Sequence, residues 1–531
     1  MKDHLQTFGE VLETHARLIG DSMGARDLER TLTFSEWNDR SNRLANAIIN
    51  LGLMKGDRIA VLAYNRLEWA EIYAATAKAG IIIVPLNFRL SSSEIKFIVE
   101  DCNASAVIAE ERLLHLIDEI RDDLIIEEKN FISISDKSIS SWENFETLIA
   151  ASDAAKPIVA VNDTDPWALM YTSGTTGKPK GAIRSHKGMF FLSLVTEIEI
   201  GITRKDDALL VMPMCHANSL NFFCSFAYRG AAVTIYSRSS FDPQEALNVM
   251  EKNGSTFTSL VPTHYIMMLS CVSKEKRSRD LGKMTKLMIS SAPARAETKR
   301  QIMEMFPNSG LYELYGSSEA GWVTMLHPDE QFSNLGTVGR ECVGSAPIKI
   351  LDDDGKEVPD GEIGELHSCT PYTFDGYWNL PEKTEDAFRA NYCTVGDMAL
   401  RNKDGFIKLI DRKKNMIISG GENIYPTEVE SVLGRYPCIK DVAVIGLPDE
   451  KWGETVHAIV VCHSSDTCFS TDLIEWCEGK IARYKIPKNI TFVDDNFIPR
   501  TATGKIQHNE LKVKIQETLS DFKLNTLETA K

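Results

Sequence analysis

Hydrophobic and polar positions follow two different periods along the first part of the chain. Apolar residues recur three or four positions apart in residues 35–51 and 69–80, whereas residues 58–62, 81–85 and 105–108 form short apolar runs. The first pattern predicts amphipathic helices and the second predicts buried strands. Helices that alternate with buried strands are typical of parallel sheets covered by helices. We therefore predict an α/β fold for this part of the chain.

The pattern changes in the second half of the chain. Short strand signals at residues 347–351 and 365–367 are separated by turns rich in aspartate and glycine, at residues 352–355 and 359–361. Short strands joined by tight polar turns predict a small antiparallel sheet or barrel. We assign this small β subdomain to residues 345–400.

A compact α+β pattern follows. One helix is predicted near residues 426–433 and another from Thr471, with strands at residues 442–445 and 455–462 between them. This stretch is long enough to bury a core of its own, so we expect it to form a separate C-terminal domain.

The domain boundary is predicted at residues 411–414, where a basic run interrupts the strand pattern. The N-terminal domain then covers residues 1–411, including the small β subdomain, and the C-terminal domain covers residues 412–531. A chain of 531 residues is consistent with three or four structural units at roughly 150 residues each.

Composition excludes several classes of protein. Aspartate and glutamate number 75 against 59 lysine and arginine residues, which gives a net charge of −16. That balance argues against a nucleic-acid-binding face, which needs a concentrated basic surface. The longest apolar stretches, such as residues 79–86, are far shorter than the roughly 20 residues of a membrane-spanning helix. We expect no nucleic-acid partner and no integral membrane segment.

Cysteine usage and the N-terminus bear on the cellular compartment. The 11 cysteines are spaced singly, without a Cys-x-x-Cys pair. This pattern is not typical of a disulfide scaffold or a zinc ribbon, and it fits a reducing environment. Residues 1–5 contain no apolar run of the kind found in a signal peptide. We therefore expect a cytoplasmic protein.

The most informative local pattern is a glycine-rich loop at residues 171–181. It contains three glycines, four small hydroxyl side chains and two lysines. Glycines let the backbone approach a phosphate group, hydroxyl groups can donate to its oxygens, and lysines supply positive charge. The flanks at residues 167–171 and 181–184 predict two strands that the loop joins. A flexible polar turn is the alternative reading. The candidate phosphate-binding residues are Thr172, Ser173, Gly174, Thr175, Thr176, Gly177, Lys178 and Lys180.

The loop differs from a Walker loop. A Walker loop has four residues between its glycines and continues as Gly-Lys-Ser/Thr into a helix. Here two residues separate Gly174 from Gly177, and Pro179 follows the lysine. These differences exclude a standard P-loop nucleotide hydrolase.

Five further motifs follow the loop in order. They are Leu314-Tyr315-Gly316-Ser317-Ser318-Glu319, Gly396-Asp397, Asp411-Arg412-Lys413-Lys414, Ser419-Gly420-Gly421-Glu422-Asn423-Ile424-Tyr425-Pro426 and Pro499-Arg500-Thr501-Ala502-Thr503-Gly504-Lys505-Ile506. With these motifs the sequence resembles the adenylate-forming superfamily of acyl-CoA synthetases over nearly its whole length. The resemblance implies a large N-terminal domain of two parallel-type sheets covered by helices plus a small β-barrel, followed by a mobile α+β C-terminal domain.

The resemblance also implies a reaction in two steps. A carboxylate attacks the α-phosphate of MgATP, which releases pyrophosphate and leaves an acyl-adenylate. A thiol, usually that of coenzyme A (CoA), then displaces AMP to form a thioester. The implied substrates are a small carboxylic acid, ATP and CoA, with Mg²⁺ bound to the ATP. An adenylating ligase with a different acceptor is the alternative, and a noncatalytic nucleotide-binding protein is disfavoured because the charged motif residues are intact.

The same resemblance implies residues for the nucleotide site. Glu319 matches the magnesium-associated carboxylate, and Thr172 would share that environment. Asp397 would accept the ribose hydroxyls, while Arg412 would hold the ribose and the adenylate. Lys505 would reach both the substrate carboxylate and the α-phosphate, which offsets the repulsion between them. The other residues assigned to ATP or AMP are Ser291, Ala292, Pro293, Glu313, Leu314, Tyr315, Gly316, Ser317 and Ser318, with Tyr315 stacked on adenine.

Further roles concern CoA and domain rotation. The CoA-binding loop would consist of Ser419, Gly420, Gly421 and Glu422, because glycines leave room for the thin pantetheine arm. Lys414 matches the hinge position about which the C-terminal domain rotates between the two steps. A solvated surface lysine is the alternative for Lys414.

The acid is inferred from fewer residues. Ala217 stands where amino-acid-activating relatives carry an aspartate, which disfavours an α-amino acid. His216 would lie beside the carboxylate as a catalytic or gating group, and Trp322 would face the acyl pocket. The bulk of Trp322 favours a short- or medium-chain or branched acid, with aromatic acids as the alternative. Packing in the core is the alternative role for both side chains, and the oligomeric state is open, with a homodimer among the options.

Overall fold

The structure, a computed structural model, describes residues 5–172, 178–272, 279–290, 294–420, 422–463, 468–501 and 504–528, with side chains described as far as residue 518. The chain divides into two compact units. Unit 1 comprises Met1–Ile348 and Ser368–Val395, and unit 2 comprises Lys349–His367 and Gly396–Lys531. The predicted boundary at residues 411–414 stays a prediction.

Unit 1 alternates helices and strands along the chain. Its helices are α1 (Phe8–Ile19), α2 (Phe34–Asn50), α3 (Glu68–Ala79), α4 (Ser92–Asp101), α5 (Leu114–Asp118), α6 (Phe145–Ala151), α7 (His186–Ile200), α8 (Ala217–Arg229), α9 (Pro243–Asn253), α10 (Pro262–Val272), α11 (Ala296–Met305) and α12 (Pro381–Asp386). Its strands up to residue 341 are β1 (Met23–Arg26), β2 (Thr31–Thr33), β3 (Arg58–Leu62), β4 (Ile82–Leu86), β5 (Ala106–Glu110), β6 (Phe131–Ile134), β7 (Glu143–Asn144), β8 (Pro166–Thr172), β9 (Lys180–Ser185), β10 (Asp207–Leu210), β11 (Ala232–Ile235), β12 (Phe257–Leu260), β13 (Lys286–Ser290), β14 (Gly310–Ser317), β15 (Gly321–Leu326) and β16 (Arg340–Glu341). The chain then passes between the units along β17 (Ala346–Leu351) and β18 (Gly364–Cys369), and unit 1 ends with β19 (Phe388–Arg389) and β20 (Tyr392–Cys393).

One large sheet of unit 1 has the strand order β16-β15-β14-β13-β12-β10-β11-β1-β2. The strands from β14 to β1 in this order run parallel, whereas β2, β15 and β16 pair antiparallel at the edges. Parallel strands are covered on both faces, which explains why these segments read as continuous apolar runs. The carboxyl ends of the parallel strands lie at one edge, where ligands commonly bind in such sheets.

The second sheet of unit 1 has the order β7-β6-β5-β3-β4-β8-β9. All its pairs are parallel except β8 with β9, which form an antiparallel hairpin. The prediction of parallel sheets covered by helices is therefore confirmed. The prediction that the glycine-rich loop joins two strands is also confirmed, because this hairpin carries it.

Helix boundaries in unit 1 follow local side-chain chemistry. The predicted helix at residues 35–51 forms as α2, whose N-cap is Thr33. The Thr33 hydroxyl accepts a hydrogen bond from the backbone N–H of Glu36 at 3.2 Å, and the Glu36 carboxylate accepts one from the backbone N–H of Thr33 at 2.8 Å. This reciprocal capping satisfies two backbone donors that the helix leaves unpaired.

Unit 2 is an α+β unit with mostly antiparallel strands. After β18 it contains β21 (Asp397–Arg401), β22 (Ile407–Arg412), β23 (Ile417–Ser419), β24 (Glu422–Ile424), α13 (Pro426–Leu433), β25 (Ile439–Asp449), β26 (Gly453–Cys462), α14 (Ser470–Cys477), β27 (Asn489–Phe492) and α15 (His508–Glu528). β18, β21 and β22 pair antiparallel, as the turns of the small β subdomain predicted. A further sheet has the order β24-β23-β26-β25, with β27 parallel to β26.

The core of unit 2 contains a disulfide between Cys438 and Cys468. Cys438 packs with Val429 and Leu433 of α13 and with the buried face of β25. The single spacing of the cysteines did not predict this bond. Among the helices of the described residues, none is both long and apolar enough to cross a membrane.

Candidate active site

The β8–β9 hairpin brings Thr172 and Lys180 together. These two residues pair directly across the strands, at the base of the glycine-rich loop. A Cβ atom on Gly181 would lie 3.0 Å from the ring of Tyr171, so the close packing of this hairpin favours glycine there. The ammonium of Lys178 lies 5.6 Å from the ring centroid of Phe97. The predicted phosphate-binding residues Ser173, Gly174, Thr175, Thr176 and Gly177 lie outside the described residues.

Glu319 lies in the turn between β14 and β15. The two strands approach so closely that a Cβ on Gly316 would lie 2.2 Å from the carbonyl oxygen of Gly321. Gly321 adopts a left-handed conformation with φ near +70°, which glycine tolerates without strain. Within the turn, the hydroxyl of Ser317 accepts a hydrogen bond from the backbone N–H of Ala320 at 2.9 Å. The tight turn fixes the direction of the Glu319 side chain.

The Glu319 turn is also held from outside. The backbone N–H of Phe374 donates to the carbonyl of Glu319 at 2.7 Å. The buried guanidinium of Arg184 donates to the carbonyl of Ser318 at 3.1 Å, and the hydroxyl of Thr370 donates to the carbonyl of Ala320 at 3.1 Å. Three successive carbonyl groups are therefore satisfied by side chains or backbone distant in sequence.

The carboxylate of Glu319 lies at the centre of a polar cluster. One of its oxygens accepts hydrogen bonds from the hydroxyl of Tyr377 at 2.9 Å and from the hydroxyl of Thr172 at 3.4 Å. The ammonium of Lys180 lies 4.0 Å from the ring centroid of Tyr377. Burial lowers the pKa of Lys180, and the charge of Glu319 opposes that shift. We call these four residues, Thr172, Lys180, Glu319 and Tyr377, the Glu319 cluster.

Sequence reasoning missed Tyr377 and Arg184. Both residues reach the Glu319 turn through contacts between segments that are far apart in the chain, 58 residues for Tyr377 and 134 for Arg184. An isolated tyrosine or arginine in a loop or strand carries no local spacing signal. The position of Tyr377 directly after Gly376, whose φ is +126°, is the one local feature that marks an unusual turn.

The remaining residues predicted for adenine lie mostly on β14. Leu314 and Tyr315 are buried in the sheet, and Tyr315 pairs with Thr324 of β15. The carboxylate of Glu313 is buried and forms an ion pair with the ammonium of Lys299, which also donates to the side-chain oxygen of Gln331 at 2.9 Å. Glu313 therefore has a structural partner. The predicted residues Ser291, Ala292 and Pro293 lie outside the described residues.

His216 occupies the N-cap position of α8 without a side-chain capping hydrogen bond, and Ala217 is the first residue of that helix. Burial, together with the charge of Arg89, lowers the pKa of His216 to about 4, so the imidazole is neutral at physiological pH. Its Nε2 atom is buried and forms no hydrogen bond with the described residues. A neutral imidazole with an unsatisfied ring nitrogen is suited to meet a polar group of a ligand.

Trp322 lies in the main core of unit 1. Its indole N–H donates to the hydroxyl of Thr196 at 2.8 Å, and its ring centroid lies 5.2 Å from that of Phe222. The hydroxyl of Tyr372 donates to the backbone carbonyl of Trp322 at 2.9 Å. These contacts give the side chain a packing role, and its predicted role in the acyl pocket stays a prediction.

We expect Trp322→Ala to lower the free energy of unfolding by about 3–5 kcal/mol, because it leaves a cavity beside Phe222 and removes the partner of Thr196. Trp322→Phe keeps a ring in place and should cost much less. Chemical denaturation of both variants checks this expectation. Equal stability of the two variants would contradict the packing role.

In unit 2, Asp397 and Arg412 face each other across β21 and β22. They are directly paired in the strand register, and the Arg412 guanidinium lies 3.1 Å from the Asp397 carboxylate. The preceding Gly396 has φ near +78° and accepts a backbone hydrogen bond from Lys413 at 2.8 Å. The ion pair and the strand register therefore hold the Asp397 carboxylate in place.

Lys505 lies on a tight loop of unit 2. The backbone N–H of Thr501 donates to the carbonyl of Lys505 at 2.8 Å, and Gly504 adopts φ near +82°. The guanidinium of Arg500 donates to the Gly504 carbonyl at 2.7 Å and to both carboxylate oxygens of Asp441 at 2.7 Å. Arg500 thus fixes the backbone of a loop whose lysine side chain is exposed.

The predicted CoA loop is the turn between β23 and β24. Ser419 and Glu422 pair across it, and Gly420 adopts φ near +62°. A Cβ on Gly420 would lie 2.8 Å from the indole ring of Trp452, whose backbone carbonyl accepts a hydrogen bond from Gly420 at 2.8 Å. Gly421 lies outside the described residues.

Lys414 lies in a short helical turn at Lys413–Asn415, and its side chain is exposed. The side-chain amide of Asn415 donates to the Asp411 carboxylate at 2.9 Å, which braces that turn. The hinge role of Lys414 stays a prediction.

Comparison with known proteins places the chain in a family. Residues 13–378 match the family described as "AMP-binding enzyme", and residues 428–505 match its "AMP-binding enzyme C-terminal domain". Indoleacetate–CoA ligase from Aromatoleum aromaticum is 32% identical over 506 residues, which cover 95% of this chain and 97% of that protein. Long-chain-fatty-acid–CoA ligase FadD13 from Mycobacterium tuberculosis is 31% identical over 494 residues, covering 92% of this chain and 94% of that protein.

A solved structure is also similar to this chain. O-succinylbenzoate coenzyme A synthetase (MenE) from Bacillus subtilis, in complex with ATP and magnesium ion, superposes with a TM-score of 0.82 at 27% identity, covering 94% of this chain and 99% of that chain. The predicted fold class is thereby confirmed. Since the family match spans most of the chain and the relatives exceed 30% identity over nearly their full length, the chain belongs to the AMP-binding enzyme family and is an AMP-forming acid–CoA ligase that uses ATP.

Proposed function

We propose that this ligase activates a short- or medium-chain or branched carboxylic acid, with the Glu319 cluster binding the phosphates and metal of MgATP. The observation that carries the MgATP assignment is that Thr172 and Tyr377 both donate to the nearly buried carboxylate of Glu319, at the base of the glycine-rich loop. The ammonium of Lys180 lies against the ring of Tyr377 in the same cluster. A carboxylate, a hydroxyl and an ammonium in one place supply the groups that a metal-bound triphosphate requires.

The donor set of the Glu319 cluster fits Mg²⁺. Magnesium prefers hard oxygen ligands, and it usually binds to one or two carboxylates together with substrate phosphates. Glu319 and Thr172 would hold the ion, which neutralises part of the phosphate charge when bound. Tyr377 orients the Glu319 carboxylate, and Lys180 supplies a positive charge to the departing pyrophosphate.

We assign three further charged residues, Lys505, Asp397 and Arg412, to the first step. The acid's carboxylate attacks the α-phosphate, so two anions must approach each other. In the proposal, the exposed ammonium of Lys505 binds both groups and stabilises the charge that develops at phosphorus. Asp397 accepts hydrogen bonds from the ribose hydroxyls, and Arg412 orients that carboxylate through their 3.1 Å ion pair.

The second step is assigned to the turn at Gly420. The CoA thiolate attacks the acyl carbonyl of the adenylate, the bond to AMP breaks, and AMP leaves with its charge on phosphate. The turn of Ser419–Glu422 would line the path of the pantetheine arm, because glycine lets another group pack close to the backbone, as the indole of Trp452 does at Gly420. Lys414 would act as the hinge between the two steps.

We expect Gly420→Leu to slow thioester formation about 100-fold, because the new side chain obstructs the thiol path and collides with Trp452. Acid-dependent pyrophosphate release should stay within a few-fold of the original rate. Gly479→Leu is the matched control, since Gly479 also has positive φ in unit 2 but has no neighbouring atom within 4 Å of the added Cβ. Equal losses in the two variants would attribute the effect to backbone strain and contradict the assignment.

The size of the acid is tested by a panel. The purified chain is incubated with MgATP, CoA and straight-chain acids of increasing length, branched acids and indolyl or phenyl acids, with thioester and AMP quantified. We expect the highest kcat/KM for a short- or medium-chain or branched acid. An aromatic acid is the second candidate, because the 32% identical relative is an indoleacetate–CoA ligase. Pyrophosphate release without any thioester would favour a different acceptor.

Cytoplasmic location and homodimer formation stay predictions of the sequence.

A further inference from the structure

Three cysteines of unit 2 lie together, and one of them, Cys438, is 30 residues from Cys468 in the sequence. Cys438 precedes β25, Cys462 ends β26 and Cys468 precedes α14. The strand register pairs Ile439 with Cys462, and the backbone N–H of His463 donates to the carbonyl of Cys438 at 3.0 Å. The sulfur atoms of the three cysteines lie within 4.8 Å of one another. The pairing of β25 with β26 therefore brings Cys438 close to Cys462, and Cys468 completes a cluster that the spacing of the cysteines does not predict.

The backbone around this cluster permits a disulfide. The Cα atoms of Cys438 and Cys468 are 6.3 Å apart, within the range that disulfides span without moving the backbone. The two residues are bonded, which closes a loop between positions that are 30 residues apart. The third sulfur, that of Cys462, lies within reach of both partners.

Cys462 and Cys468 differ in accessibility from the buried single cysteines of unit 1, whereas Cys438 is buried in the core of unit 2. Cys102, Cys224 and Cys342 are fully enclosed, and burial raises the pKa of each thiol. Such thiols are poor nucleophiles because the reactive form is the thiolate. Cys462 and Cys468 are only half-buried, so small reagents can reach them.

We propose that Cys438, Cys462 and Cys468 form a thiol–disulfide exchange site for a low-molecular-weight disulfide of the glutathione class. The thiolate of Cys468 attacks one sulfur of the reagent, whose disulfide bond breaks and releases one thiolate. The thiolate of Cys438 then attacks the Cys468 sulfur of the mixed disulfide, and the second thiolate leaves. Two protein thiols become one disulfide, and the reagent gains two electrons and two protons as two thiols.

Cys462 provides a third thiol that can exchange with the Cys438–Cys468 disulfide. Its thiolate can attack either sulfur of the Cys438–Cys468 bond and release the other as a thiolate, with no net oxidation. The bond can therefore move among three partners that lie within 4.8 Å. In the Cys438–Cys468 form the bond ties the start of β25 to the start of α14, which restricts the unfolded chain and stabilises unit 2.

Metal binding by the same sulfurs is the competing outcome. Thiolates bind zinc and cuprous ions, but a structural zinc site takes four protein ligands. Among the described residues, the group that could hold an ion contains only these three cysteines. Three ligands are one fewer than a structural zinc site uses, so we favour exchange and include metal content in the test.

The full chain is equilibrated in buffers of increasing oxidised-to-reduced glutathione ratio, denatured, alkylated and mapped by mass spectrometry. We expect two fewer alkylated cysteines at high ratio, a crosslinked peptide pair containing Cys438 and Cys468, and complete reversal by dithiothreitol. The proposal is overturned if all three thiols stay alkylatable at every ratio, or if the reduced protein retains stoichiometric zinc or copper that blocks their oxidation.

Serine variants test the role of the third sulfur. We expect Cys468→Ser to move the bond to Cys438 and Cys462, and Cys438→Ser to move it to Cys462 and Cys468. Cys271→Ser, which removes a half-buried cysteine of unit 1, should leave the Cys438–Cys468 linkage unchanged. If neither variant forms the new linkage while the Cys271→Ser control stays oxidised, Cys462 takes no part in exchange.

Discussion

Lys505→Ala is expected to slow acyl-adenylate formation about 1,000-fold, while thioester formation from a supplied acyl-adenylate stays nearly unchanged. The lysine offsets the repulsion between the substrate carboxylate and the α-phosphate, and that repulsion no longer exists once the adenylate has formed. Single-turnover assays of the two half-reactions measure the difference. Arg500 does not depend on the lysine side chain for its hydrogen bond to the carbonyl of Gly504, the residue before Lys505.

Lys440→Ala is the control for this variant. It removes another exposed lysine of unit 2, paired with Asp495, without touching the Lys505 loop. The Lys440→Ala variant should catalyse both half-reactions at the original rates. An equal loss of both half-reactions in Lys505→Ala would contradict the assignment and point to a general structural defect.

Glu319→Gln should lower kcat/KM for ATP about 100-fold and raise the Mg²⁺ concentration needed for half-maximal rate. The amide keeps the shape of the side chain and can still accept from the hydroxyl of Tyr377, so the fold should persist. The variant lacks the negative charge that, in our proposal, binds the metal ion. Initial rates over a grid of ATP and Mg²⁺ concentrations separate this effect from a loss of stability.

Two controls accompany Glu319→Gln. Glu297→Gln neutralises an exposed carboxylate of the same unit and should leave the Mg²⁺ dependence unchanged. Tyr377→Phe removes one hydrogen bond to the Glu319 carboxylate but keeps the ring beside Lys180, so we expect a smaller loss of about tenfold. An unchanged Mg²⁺ requirement in Glu319→Gln would place the metal elsewhere.

The sequence predicts the elements of this fold well where burial is continuous. The apolar run at residues 58–62 coincides with β3, and the helix predicted at residues 426–433 coincides with α13. Strands that are covered on both faces carry a continuous apolar signal, and helices with one apolar face carry a periodic one. The length of β25, which extends beyond the predicted residues 442–445, follows from its long pairing with β26, which no single-strand pattern reveals.

Only some residues of the candidate site belong to motifs that can be recognised in the sequence. Thr172 and Glu319 lie in recognisable motifs, but the contact between them forms across two sheets of unit 1. Tyr377 and Arg184 support the same turn from distant segments, and only the folded chain brings them there. The cysteine cluster is a similar case, because the pairing of β25 with β26 rather than a spacing motif brings Cys438 close to Cys462.

Acid-dependent exchange of labelled pyrophosphate into ATP without CoA tests the acyl-adenylate intermediate directly. We expect exchange that requires both the acid and Mg²⁺, is lost in Lys505→Ala, and gives way to thioester and AMP in equal amounts when CoA is added. Formation of ADP and phosphate, or exchange that proceeds only when CoA is present, would contradict an acyl-adenylate intermediate.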